Sequence, residues 1–463
     1  MKKILLVVLL LASLIPVVWF VAFREQAIVD VAAGYGPNPE LPAPYPGLIP
    51  TVNIAPAIGW PAGRIPPAAE EFRLNQNAAG FAHPRQLYLL PNGDVLVAQS
   101  NKPPKPDAPF SLRGWVMGLV MARAGSGVPS ANRVSLVRDA DGNGVAELQE
   151  TFLEGLNSRF GMTLIGGTLY VANTDAIAAF PYLEGETSIT AKGEVIARLP
   201  AGPINHHWTK DVIASADGTK LYATMRSKSN AGDNGIEAET MRAAVLEIDL
   251  ATRQTRVFPS GLRNPNALAW QPDSGALRVA VSERDGIGSD LVADYVTSVR
   301  DGSFYGWPDS YYGQNVDVRA TPPRPDLVQS ALVPDYALGA RTASLGLTFH
   351  TGSMFPASYR NGAFIRQRGS WNREPPSGYK VIFVPFAEGM PAGGPQDILT
   401  GFVNEDGKAM GRPVGVVADA TGALLSPMMS AIPCGGWCLM VPPFRARIHE
   451  GRAIARLSVR KRN

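Results

Sequence analysis

The sequence predicts an all-β chain, a six-bladed β-propeller set behind an N-terminal membrane-anchor helix. Three observations carry this. One short pattern recurs six times along the chain: an apolar strand, a turn built on Gly or Asp, then a second apolar strand. Glycine (47) and proline (40) are both abundant, and long 3.6-residue periods are few, which favours short strands joined by tight turns. Finally, Met-Lys-Lys is followed by a run of twenty mostly apolar residues, 4–23, before Arg24.

That apolar run is long enough to span a bilayer, and Lys2 and Lys3 favour a cytoplasmic N-terminus. Residues 1–24 are therefore expected to be an uncleaved anchor, with the body on the periplasmic face of a bacterial inner membrane. A long signal peptide is the alternative. Residues 25–67 are rich in Pro, Gly and Ala, show no period, and read as a linker draped over the body.

The repeated pattern falls at 86–100 (QLYLLPNGDVLVAQS), 162–173, 211–224 (DVIASADGTKLYAT), 267–282, 345–366 and from 414 onwards. Asn92-Gly93 and Asp217-Gly218 supply the backbone freedom that tight β-turns need. Recurrence at roughly 40–75 residues indicates propeller blades with insertions between them. The count weighs against a β-sandwich with coincidental hairpins. The catalytic propeller is expected to occupy 68–440, and 441–463 to form a basic tail.

Net charge is +3 but unevenly placed. From Ser426 to the end there are seven Lys/Arg and one acid, so the rest of the chain carries about −3, and nothing in the body suggests nucleic acid. The two cysteines, Cys434 and Cys438, imply no disulfide framework and are weak grounds for zinc.

Chemistry-bearing residues concentrate in 261–313. Arg263 and Asn264 stand just before a strand-like run, an acid- and glycine-rich loop carries Glu283, Asp285, Gly286, Gly288, Asp290 and Asp294, and Phe304-Tyr305-Gly306-Trp307-Pro308 closes it. An anion-binding pair, an oxygen-rich loop and an aromatic wall suit a planar polyanion beside a hard cation. Upstream, Asn205-His206-His207-Trp208-Thr209-Lys210 holds two of only five histidines, and His is the natural general base for a hydroxyl proton.

The segments GLRNP, ERDG-G-DLV-DY and FYGWP, in that order and spacing, resemble the sorbosone-dehydrogenase branch of the pyrroloquinoline-quinone (PQQ)-dependent sugar and aldose dehydrogenases. The likeness runs from about 34 to about 425. It implies a six-bladed propeller with the cofactor on its top face. It implies His207 as catalytic base, with His206 left open by the register. Arg263 and Asn264 would contact the cofactor's carboxylates and quinone oxygens, as would Arg412 in GRPVGVV. Asp285 and Gly286 would offer backbone carbonyls to a Ca²⁺ that also holds the cofactor. Trp307, Tyr305, Tyr311 and Tyr312 would line the pocket or pack the blade. Two positions depart from the family: Arg368 replaces His in His-Gly-Ser-Trp-Asn-Arg, and Arg341 also stands where many relatives carry His.

Asp139, Asp141, Asn143 and Glu150 match the EF-hand spacing, although 133–137 reads as strand, so a structural Ca²⁺ on a hairpin is expected there rather than a true EF-hand. After Leu425 the family pattern breaks. Back-translated with chosen codons and read one base earlier, Ser426 to Cys438 gives V-A-D-D-V-G-N-T-V-W-R-V-V, the family's own continuation. A one-base deletion or a sequencing error near codon 426 would account for the cysteines and the basic tail, which is read as disordered or out of frame.

The function that follows is oxidation of a sugar aldehyde, L-sorbosone or a related aldose, to the acid (2-keto-L-gulonate). His207 would take the hydroxyl proton of the hydrated aldehyde. Hydride would pass to a quinone carbonyl polarised by Ca²⁺ and Arg263, and electrons to a membrane acceptor, a quinone or cytochrome. No G-x-G-x-x-G sits between a strand and a helix, so a nicotinamide route has no support. A calcium-dependent lactone hydrolase and a non-catalytic binding propeller are the alternatives.

Overall fold

The structure is a computed structural model that describes residues 25–47, 51–61, 64–101, 112–125, 129–158, 161–202, 205, 207–419, 422–429 and 435–441. Its architecture is all-β and propeller-like, and every named strand pairing is antiparallel. Six sheets of four or five strands follow one another along the chain.

The first sheet is Pro84–Leu89, Val95–Gln99, Arg133–Arg138 and Leu148–Leu153. The second is Met162–Ile165, Thr168–Ala172, Ala176–Pro181 and Glu194–Arg198, and the third Val212–Ala214, Lys220–Met225, Ala244–Asp249 and Thr255–Ser260. The fourth joins Pro265–Trp270, Leu277–Val281, Ala293–Ser298 and Tyr336–Ala340 to a short N-terminal strand, Tyr35–Gly36. The fifth is built on Ser344–Phe349, Gly362–Gln367, Lys380–Ala387 and Gln396–Leu399. The sixth pairs Leu424–Met429 with Gly435–Val441, and Gly435–Val441 with Arg73–Phe81 from the N-terminal side.

The leading strand of each sheet packs against that of the next, and Val417–Ala418 of the sixth against Pro84–Leu89 of the first, so the sheets close a ring. The sequence explains this packing. Val95–Gln99 and Leu277–Val281 are buried along their whole length and are mostly apolar, broken only by Gln99 and Arg278, because a neighbouring sheet covers each face. Outer strands such as Thr255–Ser260 are of mixed polarity and mostly only partly buried, with Arg256 and Val257 exposed. Each junction between sheets holds its own core. Leu96, Phe152, Val171 and Phe180 join the first and second sheets, and Phe81, Leu87, Val97 and Leu425 join the sixth to the first. Burying each such side chain contributes about 1.5–3 kcal/mol.

The segment expected to be a passive linker is partly structural. Tyr35–Gly36 is a strand of the fourth sheet, and Glu25 accepts hydrogen bonds from Ser289 N and Ser289 Oγ (2.8 Å for the hydroxyl). The expected anchor, 1–24, lies outside the described residues, as does the tail 442–463. Among the described residues no helix is long and apolar enough to cross a membrane. The longest, Leu112–Arg123, has 12 residues, about 18 Å against a hydrocarbon core of about 30 Å. This overturns the expected assignment to the inner membrane with a periplasmic body.

Candidate active site

His207 stands on the loop entering Val212–Ala214. Its Nδ1 lies 2.9 Å from the carbonyl oxygen of Ser227. A carbonyl only accepts, so Nδ1 carries the proton and the lone pair falls on Nε2, the tautomer a general base requires. The loop is clamped from beneath by Lys210, whose fully buried ammonium donates to the carbonyls of His207 (3.1 Å) and Trp208 (3.2 Å). Burial, then Arg242 and Arg226, hold the Lys210 pKa well below its ordinary value. The His206 alternative lies outside the described residues.

Ser227 also ties His207 to the second expected group, because its N–H donates to the Arg263 carbonyl at 2.9 Å. Arg263 and Asn264 are both buried. The Arg263 guanidinium donates to Glu283 O (2.8 Å) and to Asn230 Oδ1 (3.0 Å) and lies 3.5 Å from Asp285 Oδ2. Its Nε and the Asn264 Oδ1 are buried without a partner. Gly261 explains the first letter of GLRNP. Its φ is +74°, and a Cβ there would meet the Phe304 ring at 2.6 Å, while its carbonyl accepts from Trp307 N at 3.0 Å.

Asn230, which the sequence gave no reason to single out, is the hub. Its Oδ1 accepts from Arg263 and from Asp285 N (2.8 Å), its Nδ2 donates to Asp285 O (2.8 Å), and its carbonyl accepts from Trp307 Nε1 (2.9 Å). Trp307 is thus buried wall and clamp together. The only local signal was composition: 229–235 (SNAGDNG) is a polar, glycine-rich loop of the kind that carries function. Arg412 is buried on the far side, donating to Tyr379 Oη (2.8 Å) and Ala55 O (2.9 Å), with its Nε unpartnered.

The electrostatics are one-sided. Burial pushes Arg85 down to about 10. Arg226 falls to about 9, from burial against the pull of Asp211, with Arg85 and Arg263 adding to the fall. Arg368 also falls to about 9, from burial and then from Arg412 and Arg85. Arg368 has no hydrogen-bond or ion-pair partner for its guanidinium among the described residues, and its Nε is buried. His83 is driven to about 4 by burial and by Arg85 and Arg368, so it is neutral at pH 7. Cations contributed by separate sheets therefore crowd one face of the ring with few counter-charges. A buried charge is costly unless paired, so this arrangement is built for an anion. The guanidinium forks, orphaned Nε groups and Asn264 Oδ1 fit a planar polycarboxylate bearing carbonyl oxygens.

Of the expected calcium ligands, Asp285 is already engaged by nitrogen donors. The Asp285 carbonyl already accepts from Asn230 Nδ2 and Arg319 Nη1, both at 2.8 Å, and its carboxylate pairs with Arg341. Gly286 (φ +87°) turns the loop, and a Cβ there would come 3.2 Å from Arg319 Nη1. The EF-hand-like ligand set also needs correction. Glu150 lies on Leu148–Leu153 opposite Leu136, and Glu147 instead joins Asp139 and Asp141. That loop is exposed and is closed by its own backbone, with Asn143 N and Gly144 N donating to Asp139 at 3.1 and 2.8 Å.

The structure is a ring of antiparallel sheets with a cationic, histidine-bearing face, and parts of the chain match known families. Residues 170–367, which hold His207, Arg263, Asp285 and Trp307, match the Glucose / Sorbosone dehydrogenase family, and 328–427 match the TrAA12-like family. An uncharacterized protein of Borreliella burgdorferi is 25% identical over 289 residues, 59% of this chain and 74% of that protein. Among solved structures, a Trichoderma reesei carbohydrate-active enzyme of family AA12 superposes with a TM-score of 0.65 at 17% identity, covering 84% of this chain and 99% of that one. The holo PQQ domain of pyranose dehydrogenase from Coprinopsis cinerea gives 0.63 at 18%, covering 84% and 100%. The PQQ-bound aldose sugar dehydrogenase of Streptomyces coelicolor gives 0.53 at 16%, covering 81% and 99%. At these identities the superpositions speak for the fold. The partial family match points to a sugar oxidoreductase.

Proposed function

We propose that the chain oxidises a sugar aldehyde or aldose to the acid, with PQQ as cofactor and L-sorbosone as the substrate to test first. Each of the six large sheets is read as one blade. The observation that carries the reading is the fixed His207 tautomer, joined through Ser227 to Arg263 beside a surplus of buried guanidinium groups. Arg263, Asn264, Arg368 and Arg412 would hold the cofactor's carboxylates and carbonyl oxygens. When bound, PQQ supplies a two-electron acceptor.

The chain's own residues do the rest. His207 Nε2 takes the proton of the hydroxyl on the carbon being oxidised. The imidazolium that results keeps its Nδ1–H on the Ser227 carbonyl, so the charge forms without reorientation. Lys210 keeps the loop from sagging away from that hydroxyl. Electrons then pass to an external acceptor, a quinone or a cytochrome. The lactone-hydrolase alternative needs an open metal site, and the acidic loop of 283–290 offers none.

Dye-linked oxidation by the purified protein, run alone, with Ca²⁺, with PQQ, with both and with NAD⁺, tests this. Activity should require PQQ, and His207→Ala should lower it by roughly 10²–10⁴-fold. Turnover with NAD⁺ and no quinone would refute the proposal.

A further inference from the structure

The oxygen atoms of loop 283–290 are where a hard cation would be sought, and nitrogen donors supply nearly all of their described contacts; Ser289 Oγ instead donates to Glu25 Oε2 (2.8 Å), and Glu283 Oε1 is buried without a partner. Glu283 O accepts from Arg263 Nη1 at 2.8 Å, and Arg284 O from Arg341 Nη1 at 2.9 Å. Asp285 O accepts from Arg319 Nη1 and Asn230 Nδ2, both at 2.8 Å, which uses both lone pairs. Asp285 Oδ1 accepts from Arg341 Nη1 and from Asn372 Nδ2 (2.9 Å), and Gly288 O from Arg341 Nη2 at 2.7 Å. Asp290 is held by Arg373 and by the N–H of Ile28.

These arginines are not loose chains. Arg319 is gripped by Asp317 through Nε (2.9 Å) and Nη2 (2.7 Å), and Asp317 also pairs with the buried Arg284 (3.1 Å). Arg341 is buried and held at φ +62°, a left-handed conformation uncommon for a non-glycine residue, with its guanidinium aimed into the loop. A calcium ion takes six to eight oxygens at about 2.3–2.6 Å. Here it would have to displace a donor from Asp285 O and sit against the guanidinium groups of Arg263, Arg319 and Arg341.

We infer that Arg319 and Arg341 take the place of the metal: this chain neutralises and shapes its cofactor-side loop with fixed guanidinium charge, so the loop binds no calcium and the fold and the binding face need none. The inference goes beyond the quinone reading and is measured apart from it.

The test is calcium content by mass spectrometry after equilibration with calcium and desalting, together with thermal melts in calcium and in EDTA. Wild type is compared with Asp139→Ala/Asp141→Ala, which removes the separate acidic loop. The double variant should retain no calcium above buffer background, and neither protein's melting temperature should move with EDTA. About one equivalent retained by the double variant, or a melt shifted by calcium, overturns the inference. If the double variant does not fold, wild type still decides, because a content above the single ion that the 139–147 loop could hold overturns it equally. A parallel titration follows PQQ by absorbance with and without EDTA, and equal affinity is expected. Failure of PQQ to bind in either arm would sink the cofactor reading and leave the calcium count to judge the loop.

Discussion

Arg368→Gln should make the cofactor-free protein more stable and its grip on an anionic ligand weaker. Arg368 is partly buried, its guanidinium has no partner among the described residues, and Arg412 and Arg85 are the nearest charges acting on it. Holding that cation depresses its pKa from the ordinary arginine value to about 9. Taken at face value, this is a cost of roughly 5 kcal/mol at pH 7, where the group is charged in both folded and unfolded chains. Partial solvent access and side-chain relaxation reduce it, so about 2 kcal/mol of stabilisation is expected on neutralisation. The sign follows from linkage. A base whose folded-state pKa is depressed costs stability everywhere below about 9, and the cost fades only as pH climbs from there towards the ordinary arginine pKa. Urea unfolding of cofactor-free protein, followed by far-UV circular dichroism, measures the first effect. A PQQ titration measures the second, with a loss of roughly ten- to a hundred-fold expected for one charge-assisted bond. Arg368→His, the residue relatives carry there, should fall between. A variant that is less stable than wild type, or that binds PQQ as well, would refute the idea that this charge waits for an anion.

Three other outcomes follow from the same geometry. Asn230→Ala removes a charge-assisted bond from Arg263 and two bonds to the Asp285 backbone, and should cost about 2–4 kcal/mol in urea unfolding; a loss under about 1 kcal/mol would deny it the role of hub. Asp294, raised to about 7 mainly by burial, ionises in the core at a cost, so its contribution to stability is full below about 4 and lost as pH rises to about 7; Asp294→Asn should flatten the slope of unfolding free energy across that window. Gly261→Ala meets both the positive φ and the Phe304 ring, and should cost about 2 kcal/mol or more and lower the melting temperature, whereas Gly275→Ala, in an open turn, should cost less.

Much of the fold was legible because its signals are local. Asn92-Gly93 and Asp217-Gly218 do sit at hairpin turns, with Gly93 at φ +90° and Gly218 at φ +69°. Val95–Gln99, apolar up to Gln99, is an interior strand. The pairing of His207 with Arg263 was reached through family likeness, and the hydrogen bonds through Ser227 supply its physical cause. What stayed hidden is what the ring assembles from distant positions. Loop 283–290 looked like a cation site because its own letters are acids and glycines. The arginines that fill it come from 263, 319, 341 and 373, and nothing in the local spacing announces their arrival. The cationic face was invisible for the same reason, since each sheet lends it only one or a few cations. Glu150 was misassigned because the motif spacing assumes a helix–loop–helix, whereas here the chain enters a strand and carries that residue past the loop. After Leu425, the chain forms strands at Leu424–Met429 and Gly435–Val441 even where its side-chain pattern departs from the family, since ladder bonds belong to the backbone. Sequencing the gene across codon 426 would show whether a base is missing there.

The seam of the ring has a consequence for how the protein comes into being. Arg73–Phe81 leaves the ribosome long before its partner Gly435–Val441. Throughout synthesis the early strand must travel as an open edge with unspent hydrogen bonds, the state most prone to pairing with a neighbouring chain. Bringing such distant ends together adds little to the entropy cost, because that cost grows only with the logarithm of loop length. The delay is in time rather than in free energy. The ring is therefore most exposed to misassembly in the interval before that partner arrives, and any change to the closing strands acts first on how many molecules close at all.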